Sequence, residues 1–280
     1  MLAIIGGTGL YELPGLRITQ RIADTTPFGQ ASGEVLRGQY HDQEVLFLAR
    51  HGSGHRLLPH EVNYRANIFA LKQAGATQLL GFSAVGSLSL AVKPGDMAMP
   101  EQYFDWTRGQ RERTFFGQGV AAHVSTAKPV GAGLVDAVSQ AAQRCGLSVH
   151  RGLTYGCVEG PRLGTQAESH FLRQAGCHLV GMTNVPEVFL AREAQMAYAT
   201  VGLVTDYDCW HPGHEAVTVD QVIHVLLANA DKARSLIRQV APALASDAGA
   251  PACSCRHALD HALITAASAR DPAVLARLDA

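Results

Sequence analysis

The sequence predicts an α/β fold. Three observations point there. Short apolar runs alternate with helix-period segments along most of the chain. The run Ala197–Val204 has no charge and ends in Thr205-Asp206-Tyr207-Asp208, as a strand covered on both faces does when it delivers polar groups to a sheet edge. Glycine- and hydroxyl-rich loops follow several such runs, so they can converge on one crevice at the strand ends.

Composition narrows the class. The 280 residues are 47% hydrophobic and 17% charged, enough for a large core in one or two domains. A net charge of −1 argues against a nucleic-acid or anionic-membrane surface. The start MLAIIGGTGL lacks the basic flank and the length of a signal peptide, and no run is long enough for a membrane span, so the expected location is cytoplasmic. That compartment makes Cys253 and Cys255 expected thiols, and the other four cysteines read as small core residues. His51, His55 and His60 are close in sequence, but no further ligand cluster accompanies them, so no metal is expected.

Taken in order, Leu2–Ile5 is a strand running into Gly6-Gly7-Thr8-Gly9, a turn whose backbone N–H groups can face an anion. The dinucleotide fingerprint fails at Glu12, and the lysine of a P-loop is absent. After a turn-rich stretch, Glu34–Tyr40 and Glu44–Ala49 pair as strands. The second meets Arg50-His51-Gly52, and an arginine placed there needs an anion, for which phosphate suits its planar fork. Val62–Ala74 reads as a helix stopped by Gly75, with Asn63, Tyr64, Arg65 and Asn67 polar enough to face a partner subunit.

Gln78–Ala84 is a strand closed by Ser83-Ala84-Val85-Gly86-Ser87, and Asp96–Met99 a short one. Glu101–Ala122 is irregular, which in a compact domain marks function or an interface. Val130–Cys145 is an amphipathic helix and Val149–Val158 a strand. Thr165 caps the helix Gln166–Ala175 with Glu168 at the capping-box position. In Glu159-Gly160-Pro161-Arg162, Glu159 and Arg162 read as a structural ion pair. His178–Gly181 is a strand. Thr183 or Asn184 caps the next helix, with Pro186 in its first turn and hydroxyl and backbone donors that suit an anion. Thr218 and Asp220 open a long helix to about Val240. Pro242–Pro251 is linker-like, and Arg256–Ala267 is a last helix.

Seven motifs in order, Gly6-Gly7-Thr8-Gly9, Arg50-His51-Gly52, Asn63-Tyr64-Arg65-Ala66-Asn67, Ser83-Ala84-Val85-Gly86-Ser87, Glu159-Gly160-Pro161-Arg162, Gly181-Met182-Thr183 and Thr205 to Trp210, resemble the trimeric purine nucleoside phosphorylases, within them the 5'-methylthioadenosine phosphorylases. The resemblance implies a single-domain phosphorylase/hydrolase-like fold with a mixed central sheet flanked by helices. Residues 1–241 would be catalytic, and 242–280 a linker and helix packing on the same domain. It implies phosphorolysis of methylthioadenosine to adenine and 5-methylthioribose 1-phosphate by a homotrimer, with phosphate as co-substrate and no cofactor. By motif, phosphate falls on Thr8, Arg50, His51, Ser83, Ala84 and Thr183, ribose on Met182, and purine on Asp206 and Asp208. The methylthio pocket would take Val219, Val222 and Ile223, with His123 from a neighbouring subunit. Leu163 and Gly164 depart from the family's phenylalanine and its acidic or hydroxyl successor. They leave methylthioinosine or a 6-oxopurine nucleoside as the alternative substrate.

The residue types suit that chemistry. Breaking an N-glycosidic bond builds negative charge on the departing purine, which needs a proton or strong hydrogen bond at N7. A buried aspartic acid, assigned as Asp206, can supply it. An aspartate there also accepts from a 6-amino group, which favours adenine over hypoxanthine.

Overall fold

The structure, a computed structural model, describes residues 1–109, 111–212, 219–244 and 253–279, with the side chains of 219–224 and 226 outside that description. In chain order the elements are β1 (Leu2–Gly6), β2 (Arg17–Ile22), the small hairpin β3 (Thr25–Thr26) and β4 (Gly29–Gln30), β5 (Val35–Tyr40), β6 (Gln43–Ala49) and α1 (Tyr64–Gln73). Then come β7 (Gln78–Ser87), β8 (Met97–Trp106), α2 (Ala132–Arg144), β9 (Val149–Val158), α3 (Gln166–Gln174) and β10 (Leu179–Gly181). The chain continues through α4 (Asn184–Glu193), β11 (Ala197–Asp206), α5 (Val219–Leu244) and α6 (Pro272–Leu278).

Nine strands form one mixed sheet in the order β10-β9-β8-β11-β7-β1-β6-β5-β2. Its centre is parallel, β11 beside β7 and β7 beside β1, while β11 meets β8 antiparallel. β10 pairs with β9 and also with β7, matching Leu179 to Ser87 and Val180 to Gly86. That double pairing curls β7, β11, β8, β9 and β10 into a closed ring, with the loop after β10 beside the carboxyl end of β7.

Strand alternation divides the core. Ala3 and Ile5 of β1 face the layer of α1 and α4, packed with Ile68, Leu71, Val188 and Leu190. Leu2 and Ile4 face α2 and α5, packed with Val135, Val138, Leu236 and Ile237. Among the described residues no helix is long and apolar enough to cross a membrane.

Several sequence expectations are corrected. β2 has no counterpart in the sequence reading, because five of its six residues are exposed at the sheet edge. β8 runs to Trp106, well past Met99, since its second half leaves the core and stays paired to β9. Two of the polar residues at α1, Tyr64 and Asn67, are buried within the chain; Asn63 accepts from the Ala66 N–H at the cap, and Asn67 bonds Ser32 at both its N–H and its hydroxyl. Arg256–Ala267 is not a helix. It is a 3₁₀ turn at Ser254–His257 followed by irregular chain that bridges Leu263 to Ala122. The tail helix is α6, capped by Asp271 with Pro272 at its start. Cys253 and Cys255 form a disulfide rather than free thiols, their Cα atoms 5.0 Å apart, and Cys255 is buried in the α2–α5 layer.

Candidate active site

A cavity of about 420 Å³ opens where the ends of β1, β6, β7, β9 and β11 meet the loop after β10. It brings together Thr8, Arg50, His51, Ser83, Ala84 and Thr183. Asp206, Asp208, Met182, Leu163 and Gly164 also line it. Eleven positions singled out along 201 residues of sequence (Thr8 to Asp208) therefore share one space.

The anion side begins with the loop after β1. Gly7 is required by close approach: a Cβ there would lie 2.4 Å from the Phe82 carbonyl oxygen and 2.8 Å from Arg50 Nη1. Beneath the loop lies Arg50, fully buried. Its Nε and Nη2 donate to the two carboxylate oxygens of Glu187 at 2.7 and 2.8 Å, and Nη1 donates to the Phe82 carbonyl at 2.8 Å. A protein carboxylate on α4 thus offsets the burial of this guanidinium, while each Nη keeps a second N–H and Arg50 lines the cavity. Burial opposes its charge, but Glu187 outweighs burial and holds it protonated.

Above it, the His51 Nδ1 position lies 2.9 Å from the Leu57 carbonyl, which can only accept, so that nitrogen carries the proton. Burial and the Arg50 charge push the His51 pKa down to about 4, so the ring is neutral. It stacks on His55 with centroids 4.3 Å apart, and His55 Nδ1 lies 2.9 Å from the Tyr11 hydroxyl. Thr183 stands at the start of α4 without capping it, contrary to expectation. Val185 is extended, the regular helix begins at Pro186, and the Asn184 side chain turns into the core instead.

On the acid side, Asp206 accepts from Thr205 Oγ1 at 2.5 Å and from the Asp208 N–H at 2.7 Å. Both bonds favour the carboxylate, yet burial raises its pKa. Burial also raises that of Asp208. Gly86 leaves room for the pair, since a Cβ there would lie 3.0 Å from Asp206 Oδ1. Two carboxyl groups whose pKa values burial raises, in one cavity with hydroxyl and imidazole groups, suit donation of a proton to a leaving group.

The loop after β9 closes the cavity. Gly160, at φ +65°, lies against Met182, whose sulfur would be 2.4 Å from a Cβ there. The expected Glu159–Arg162 pair is replaced by two others: Arg162 binds Glu168 in the α3 capping box, and Glu159 binds buried Arg111 at 2.7 Å. Arg111 Nη1 also donates to the carbonyls of Met182 and Val185, pinning the loop after β10.

Residues 1–242 match a family model described as the phosphorylase superfamily. The chain belongs to that superfamily. It is 48% identical to the S-methyl-5'-thioadenosine phosphorylase of Rhodospirillum rubrum over all of this chain and 95% of the relative. It is 47% identical to that of Koribacter versatilis over 94% of this chain and 89% of the relative. The crystal structure of a methylthioadenosine phosphorylase from an antarctic soil metagenomic library superposes with a TM-score of 0.91 at 45% identity, over 99% of this chain and 96% of that one. The Schistosoma mansoni methylthioadenosine phosphorylase, solved in complex with adenine, gives 0.83 at 34% identity, over 86% and 90%.

Not every expected site residue of this superfamily member is in the cavity. His123 is exposed, its N–H bonded to Ala262, and lies outside the cavity of its own chain. The side chains of Val219, Val222 and Ile223 lie outside the described residues. Conversely, Trp106, His55 and Leu58 line the cavity without having been assigned a role there from sequence. Trp106 ends the half of β8 that sequence left irregular; its signal was a lone tryptophan after an acidic strand end.

Proposed function

We propose that this chain cleaves S-methyl-5'-thioadenosine with inorganic phosphate to adenine and 5-methylthioribose 1-phosphate. The observation that carries this reading is the juxtaposition, within one cavity, of the Thr8–His51–Ser83–Thr183 seat and the buried Asp206–Asp208 pair. The names of the relatives support it. In this reading phosphate sits on Thr8, Ser83, the Ala84 backbone, Thr183 and His51, with Arg50 fixing the seat from below. Met182 packs on the ribose. As the glycosidic bond lengthens, Asp206 donates toward purine N7, so electrons leaving the sugar are received by a base that gains a proton. Asp208 holds the base edge. No cofactor takes part; phosphate is a co-substrate.

Residues 1–241 serve as the catalytic domain; α5 carries the chain on to Leu244 rather than breaking into a linker at Pro242, and the tail from Cys253 packs against it. The working unit is a cytoplasmic homotrimer in which His123 reaches the neighbour's 5' pocket, joined there by Val219, Val222 and Ile223. A second reading, methylthioinosine or another 6-oxopurine nucleoside, rests on Leu163, which lines the cavity and stands where the family has phenylalanine. A panel of methylthioadenosine, methylthioinosine, adenosine and inosine, with and without phosphate, tests both. Phosphate-dependent release of adenine from methylthioadenosine is expected to be fastest; faster turnover of methylthioinosine overturns the adenine assignment.

A further inference from the structure

A chain of buried hydrogen bonds connects the Arg50–Glu187 pair to Ser83, and its polarity is determined. Paired with a guanidinium, the Glu187 carboxylate only accepts, so the Tyr198 hydroxyl donates to Glu187 Oε1 (2.8 Å). With its one proton committed, Tyr198 oxygen accepts from Thr200 Oγ1 (2.5 Å). Thr200, having donated, accepts from Asn184 Nδ2 (2.6 Å), which also lies 3.4 Å from the Tyr198 oxygen. The amide is thereby oriented, because turning it over would set the Thr200 and Tyr198 oxygens against each other with no proton between them. Asn184 Oδ1 therefore faces Ser83, and Ser83 Oγ must donate to it (3.1 Å).

The cluster is buried throughout: Asn184 and Thr200 are 0% exposed, and Tyr198 and Glu187 1%. The Tyr103 hydroxyl lies beside Thr200 and Asn184 but outside hydrogen-bonding geometry, and leaves these directions unchanged. Gly81 makes room for the cluster; a Cβ there would come within 3.2 Å of Thr200 Oγ1, Arg50 Nη2 and Glu187 Oε1.

The consequence falls on the anion. Ser83 lines the cavity with its only proton turned away, so what it offers inward is a lone pair. His51 repeats the polarity: with Nδ1–H on the Leu57 carbonyl, the neutral ring has an accepting Nε2 left. We propose that Glu187, Tyr198, Thr200 and Asn184 are positioning residues that hold Ser83 as a hydrogen-bond acceptor, so that the seat selects a tetrahedral oxyanion carrying its own proton. Hydrogen phosphate and hydrogen arsenate carry one at neutral pH; sulfate, similar in size and shape, does not. This inference rests on the phosphate reading of the site.

Calorimetric titration of the whole protein with phosphate, arsenate and sulfate, without nucleoside, tests it. Phosphate and arsenate are expected to bind alike and sulfate about tenfold or more weakly, the effect of one lone pair set against another. Tyr198→Phe frees the Thr200 proton for Asn184, the amide turns, and Ser83 regains a proton for the cavity, so the sulfate gap closes. Thr200→Val breaks the chain at another link and should do the same, whereas Thr200→Ser restores it. Equal binding of sulfate and phosphate by the unsubstituted protein, or an unchanged gap in both chain-breaking variants, overturns the proposal. Binding of none of the three anions overturns the seat itself and the selection with it.

Discussion

Replacing Glu187 with alanine exposes what the Arg50 brace contributes. The pair is 0% and 1% exposed, with two short charge-assisted bonds and a third from Tyr198. Removing one partner of such a buried pair leaves an uncompensated charge, at a cost of about 3–5 kcal/mol. A chain of 280 residues unfolds with an entropy of about 0.6 kcal/mol/K, so the melting temperature should fall by about 5–9 °C. Phosphate should recover more stability in Glu187→Ala than in the parent, since the orphaned guanidinium lies under the anion seat and an oxyanion there supplies the missing charge. Differential scanning calorimetry with and without saturating phosphate reads both effects. A melting temperature within about 1 °C of the parent, or equal phosphate stabilisation in both proteins, would refute the view of Arg50 as a brace held by Glu187.

Other expectations are more local. Asp206→Asn should lower turnover of methylthioadenosine by about 10²–10⁴-fold in steady-state assays, and unchanged turnover removes Asp206 from the chemistry. Gly7→Ala places a methyl against the Phe82 carbonyl and Arg50, which should cost about 1–3 kcal/mol in urea melts. It should also raise the KM for phosphate more than that for nucleoside. His51 is held near pKa 4 in the fold against an ordinary 6.5. Its stabilising contribution is therefore complete above pH 6.5 and is lost as pH falls toward 4, about 3 kcal/mol in all. Melting temperatures of the parent and His51→Gln should converge across that window as pH drops; parallel curves contradict the assignment. On the proposed role of Asp206 as an acid donor, kcat should decline as pH rises through its burial-raised pKa, and that alkaline limb should vanish in Asp206→Asn.

Sequence made the strand ends legible because each carries a local signature. β9 has the bounds expected for it, and β11 begins and ends where a charge-free run meets two aspartates. Ser83, Thr183 and Asp206 could be named for the same reason, since each closes or follows an apolar run. The partner of Arg50 could not be. Glu187 stands 137 positions away inside what reads as an ordinary amphipathic helix, and only the sheet order brings the two together. Asn184 was legible as a cap and is nothing of the kind, because Val185 is extended and the side chain is free to turn inward. β2 and the outer half of β8 escaped notice because strand pairing at a sheet margin needs no apolar alternation, and that alternation is the signal a single sequence offers.

The three residues of β10 fasten the two walls of the cavity to each other edge to edge, through β9 on one flank and β7 on the other. Backbone ladders of this kind fix a separation far more firmly than side chains do. On the proposed reading, a change of preferred nucleobase would therefore come from exchanging side chains that line the cavity, such as Leu163, with that backbone separation kept.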